Sequence, residues 1–119
     1  MPHRLLLVVA CLFGAAGVAL LAAGAHKTGG QATIAGQMLL FHAPAILAGA
    51  LASVLGRMKG AVAGPALAAM ALGVAMFAGD LALRAFHDAR LFANAAPAGG
   101  LLAIAGWLGL GVAAAVSRR

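Results

Sequence analysis

Residues 5–25 read LLLVVACLFGAAGVALLAAGA, with no charged side chain anywhere in the run. As a helix this run would rise about 31 Å, close to the ~30 Å hydrocarbon thickness of a bilayer. It opens after Arg4 and closes before His26, so it reads as a first transmembrane span. Ala23-Gly24-Ala25 also imitates a signal-peptidase site, but the run exceeds the ~7–15 apolar residues of a signal peptide, so it is taken as a retained span.

The rest of the chain fits that reading. It has 119 residues, is 65% hydrophobic and only 8% charged, and its mean hydropathy is +1.08. Soluble domains carry charge on about a quarter of their residues. The formal charge of +6 comes from eight Lys and Arg against two acidic residues, and the basic side chains stand singly at the ends of apolar runs. That is the pattern of membrane anchors and topology signals, and it lacks the basic stripe of a nucleic-acid surface. Cys11 is the sole cysteine, which excludes an intrachain disulfide, and it reads as a small buried apolar residue.

Three further spans follow, giving approximate boundaries of 5–25, 37–55, 61–86 and 97–116 in one all-α domain, an antiparallel four-helix transmembrane bundle. The Gly- and Thr-rich stretch from His26 to Gly36 reads as a loop. Pro44 falls near the start of span two and predicts a kink, because its ring clashes with the carbonyl of Leu40. The link Gly56-Arg57-Met58-Lys59-Gly60 makes spans two and three a hairpin. Pro65 falls in or near the first turn of span three, and Pro97 suits the first position of span four. Ala45, Gly49 and Ser53, Gly60 and Gly64, Ala69 and Gly73, and Gly109 and Ala113 repeat small residues at four-residue spacing, which lets helix backbones approach closely where lipid supplies no hydrophobic drive.

With four spans both termini share a side. That side carries Arg4, Arg57, Lys59, Arg118 and Arg119 against Lys27, Arg84 and Arg90 opposite, so the positive-inside rule places the termini in the cytoplasm.

The densest polar chemistry lies between Met76 and Arg90, which holds both acidic residues. Asp80, Arg84, His87 and Asp88 fall at i, i+4, i+7 and i+8 and share one helix face. Counting from Ala61 places Asp80 near the non-cytoplasmic interface, about 28 Å along its helix. His26 and His42, at the two ends of the first loop, are expected at similar depth on the same side. All six form a candidate polar cluster at the outer end of the bundle. Two histidines on adjacent helices could ligate a metal or haem, but no third ligand or haem-attachment signature accompanies them, so no metal and no cofactor are assigned. Trp107 falls mid-span, away from an interfacial belt, and is expected to pack against small residues of another helix.

The ordered set Gly24-Ala25-His26-Lys27, Phe41-His42-Ala43, Phe77-Ala78-Gly79-Asp80-Leu81, Pro97-Ala98-Gly99-Gly100 and Gly106-Trp107 resembles the YgdD-like small inner-membrane proteins, a domain family of unknown function, over nearly the whole chain. Asp80 and Ala96 stand where that family's pattern commonly has Ser and Thr. The resemblance implies a four-span bundle in the bacterial inner membrane and implies no activity.

No nucleophile–base set, phosphate loop or cofactor fingerprint is present, so a non-enzymatic protein is expected. Two functions remain. One is a structural or accessory protein packed against the bilayer, further copies of itself or a larger membrane complex. The other is a small transporter or proton-linked exporter, for which Asp80 is the sole candidate carboxylate.

Overall fold

In the computed structural model, which describes residues 3–26 and 29–117, the chain forms four antiparallel helices. They are α1 (His3–Gly24), α2 (Gln31–Val54), α3 (Gly60–His87) and α4 (Ala95–Ala115). Each is long and apolar enough to cross a membrane. Lys27, Arg118 and Arg119, which contribute to the charge bias between the two ends, lie outside the described residues.

Backbone packing runs in series: α1 lies against α2, α2 against α3 and α3 against α4, with a light contact between α1 and α3. The inner helices therefore bury the wide faces and the outer ones bury stripes. On α1 the buried residues are Leu6, Ala10, Gly17 and Gly24. On α4 they are Ala95, Gly99, Ala103, Gly106, Leu110 and Ala113, spaced three or four apart as a single helix face requires. The core between the layers is built on Leu6, Ile46, Leu67, Met70 and Val74, all but excluded from solvent. Leu12, Val18, Phe41, Leu72, Leu101 and Leu108 point outward, as lipid-facing side chains must.

Glycine sets the closest approaches. A Cβ on Gly73 would fall 2.5 Å from the carbonyl oxygen of Gly99, and one on Gly99 would fall 2.5 Å from that of Gly73, so α3 and α4 touch backbone to backbone. Gly17 and Gly36 make the equivalent contact between α1 and α2. Of the small-residue spacings in the sequence, Ala69/Gly73 marks a true backbone contact, whereas a Cβ on Gly64 would meet nothing.

Several boundaries differ from the sequence reading. α2 begins at Gln31, six residues before the expected 37, because Thr33 and Gly36 lie against Gly24 and Gly17 of α1 and helical structure is what lets them reach it. Its N-cap is Gly30, at φ 78. Pro44 consequently lies mid-helix, and α2 continues through it. Pro65 is six residues into α3, beyond the first turn. Pro97 is the third residue of α4, after the N-cap Asn94, and costs no hydrogen bond because N–H groups there have no intrahelical acceptor. Cys11 is exposed, since the buried stripe of α1 passes through Ala10.

The two ends of the bundle are tied differently. At the end holding residue 3, the Lys59 N–H donates to Ala113 O at 3.0 Å, the Ser117 hydroxyl donates to Gly56 O at 3.2 Å, and His3 Nε2 lies 3.3 Å from Ser53 Oγ. Gly56, at φ 78, terminates α2 in the left-handed conformation that glycine adopts without penalty. The opposite end is held by Asp80.

Candidate functional site

Asp80 lies about 10 Å below the C-terminal end of α3 and its side chain is wholly buried. Oδ1 accepts the backbone N–H of Leu91 at 2.8 Å, so the carboxylate reaches across to the α3–α4 connection and holds it over the helix end. Oδ2 lies 2.8 Å from Nη2 of Arg84, one turn on. That contact is electrostatic: Oδ2 has no aligned donor, and the buried Nε of Arg84 has no acceptor. The Arg84 side chain is 30% exposed, so the buried carboxylate is neutralised by a guanidinium that reaches toward the rim. The clamp joins helix, ion pair and loop within twelve residues of chain.

Asp88 does something else. It is exposed and takes φ 51, and its backbone N–H returns to Leu83 O. The Ala89 N–H reaches the same carbonyl at 3.3 Å. These bonds close α3 with a left-handed cap, a conformation that Asp tolerates better than most residues. His87, the last residue of α3, and His26, in the turn after α1, are exposed. Of the six side chains expected to gather at this end, Asp80 and Arg84 meet; His26, His87 and Asp88 lie at the surface, and none of them is drawn into the clamp.

His42 is the main correction. It was expected beside His26 at the outer rim, but α2 starts earlier than the loop composition suggested, and His42 lies about 16 Å into that helix, near mid-span. It is buried. Nδ1 is 2.7 Å from the carbonyl oxygen of Met38 on the preceding turn. Nε2 is 3.0 Å from Trp107 Nε1. An indole nitrogen can only donate, so Nε2 is the acceptor, and Nδ1–H donates to the Met38 carbonyl. The rings meet edge to face, with centroids 5.7 Å apart and an interplanar angle of 61°.

Trp107 was expected to pack on small residues; its hydrogen bond to a histidine on another helix was not foreseen. An indole N–H inside an apolar span needs an acceptor, but a second span starting near residue 37 puts His42 at the rim, and only the earlier start of α2 at Gln31 brings it to the depth of Trp107. Among the described residues, no three His, Cys, Asp or Glu side chains gather in a metal-binding geometry.

Below Trp107, α2 and α4 diverge around an apolar cavity of about 560 Å³, bordered by Ala45, Gly49 and Ala52 on one side and Leu110, Gly111 and Ala114 on the other. A smaller and more polar cavity, about 360 Å³, lies at the end of the bundle by Ser53, Lys59 and Ser117. Met58 lines both.

Neither curated proteins nor solved structures provide a match to this chain. A family model does match, over residues 13–100, a segment that includes α2, α3, Asp80, Arg84 and His42 and ends in the first turns of α4. The chain thus belongs to DUF423, a family of proteins of unknown function, as the ordered motifs implied.

Proposed function

We propose that the protein is a structural or accessory component of the bacterial inner membrane, with both termini cytoplasmic and no chemistry of its own. The observation that carries this reading is that, among the described residues, the two buried polar side chains, Asp80 and His42, are each bound to other parts of the fold. Asp80 holds Arg84 and Leu91, and His42 holds Met38 and Trp107. The clamp and the bridge both join parts of the fold to each other, and ionisable groups used in that way stabilise one arrangement of helices. The partners are the bilayer and either further copies of the chain or a larger membrane assembly.

In-membrane cross-linking followed by mild extraction tests this. Defined species larger than one chain are expected, and recovery of the monomer alone would sink the proposal. Reporter fusions at residues 1 and 119 should both report the cytoplasm.

Transport is the second reading, favoured by one observation: an ionisable residue wholly buried in a membrane helix is by default a site for a proton or substrate. An Asp80→Asn strain with unchanged transport and tolerance phenotypes would remove it.

A further inference from the structure

Two cavities of unlike character follow one another along the bundle axis and share Met58 in their linings, and they are taken together as the upper and lower parts of a composite groove. The upper part, below Trp107, is lined almost wholly by small apolar residues and extends about 10 Å from the level of Ala45 to that of Ala52. Ala48, Gly111 and Ala114 on its margins are exposed, so it opens sideways toward the acyl region of the bilayer. The lower part is lined by Lys59 and by Ser53 and Ser117, whose hydroxyls already bond within the fold.

The charge around that mouth is of one sign. Lys59 and Arg57 are exposed there, whereas both acidic side chains, Asp80 and Asp88, belong to the opposite end of the molecule. α3 starts at this mouth but α2 and α4 end at it, so the helix dipoles oppose one another there and the positive potential is that of Lys59 and Arg57.

We propose that this composite groove binds one anionic phospholipid, an acyl chain lying between α2 and α4 and the phosphate resting against Lys59. A molecule with an apolar tail and an anionic head is what an apolar groove ending in a basic mouth complements, and basic pockets between membrane helices are suited to such headgroups. A second copy of the chain fits less well. In a side-by-side parallel pair with this groove as the interface, Arg57 and Lys59 would meet their own counterparts, setting like charges together without a compensating acid.

Native mass spectrometry of the full chain, released from micelles doped with either phosphatidylglycerol or phosphatidylcholine, tests the assignment. The wild type should retain one phosphatidylglycerol at least several-fold more often than phosphatidylcholine, and excess inorganic phosphate should not displace it. Gly111→Leu fills the groove without striking the fold, because a Cβ there meets nothing within 4 Å, and it should abolish retention of both lipids. Lys59→Gln should keep the chain-binding groove and lose the preference for the anionic lipid. Gly64→Leu, also in open space and away from the groove, serves as the control and should leave retention unchanged.

Equal retention of the two lipids by wild type, displacement by phosphate, or full retention in Gly111→Leu would each overturn the proposal. So would a two-chain species that holds no lipid and disappears in Gly111→Leu, since that would make the groove a dimer contact.

Discussion

Helix α4 meets its two neighbours in opposite ways. Against α3 it is closed by glycine: Gly73 and Gly99 bring the backbones together, Gly106 lies against Ala66 and Met70, and the Asp80 clamp fixes the connection above. Against α2 it is held by the hydrogen bond from Trp107 to His42, and below that bond the seam opens into a cavity. In lipid, where apolar side chains gain little by leaving the solvent, a seam tightens by close backbone approach or by hydrogen bonding. The α3–α4 seam uses both, and the α2–α4 seam uses one polar contact and leaves room for a ligand.

The contrast can be broken on its tight side first. Gly73→Leu forces a side chain into the Gly99 backbone and should cost at least about 3 kcal/mol, seen as loss of a monodisperse peak in size-exclusion chromatography. Asp80→Ala strips the Leu91 N–H of its acceptor and leaves Arg84 uncompensated. Because Arg84 can still reach water, the loss should be about 2–4 kcal/mol, below that of a fully buried broken pair, measured by unfolding in one fixed detergent. Asp80→Asn keeps an acceptor for Leu91 and should lose less. On the open side, Trp107→Phe keeps a ring and removes the donor to His42, at about 1 kcal/mol. Spin labels on α2 and α4 should then report a broader distance distribution, while labels on α3 and α4 report no change.

What the sequence disclosed follows the same division. The spans were legible because hydropathy and length alone decide them. The Asp80–Arg84 pair was legible because four residues on a helix is one turn. The other half of the clamp was not, since a carboxylate bonding to the Leu91 N–H depends on how the connection folds back. The His42–Trp107 bridge was hidden for a stronger reason. Its partners are 65 residues apart on helices that are apolar all round, where no amphipathic pattern says which face turns inward. The depth of His42 was misjudged because Gly and Thr between His26 and Gly36 suggest a loop in water, whereas against α1 the same small residues support a helix that packs closely.

Two alanines on one helix put the central claim to its most direct test. Gly99→Ala and Gly111→Ala make the same change in α4, one against the α3 backbone and one in open space, and their unfolding free energies can be compared in the same detergent. Gly99→Ala should be destabilised by about 1–3 kcal/mol, while Gly111→Ala should be unchanged or gain up to about 1 kcal/mol from the better helix former. Equal effects at the two positions, or a loss at Gly111 alone, would contradict the assignment of a closed and an open seam.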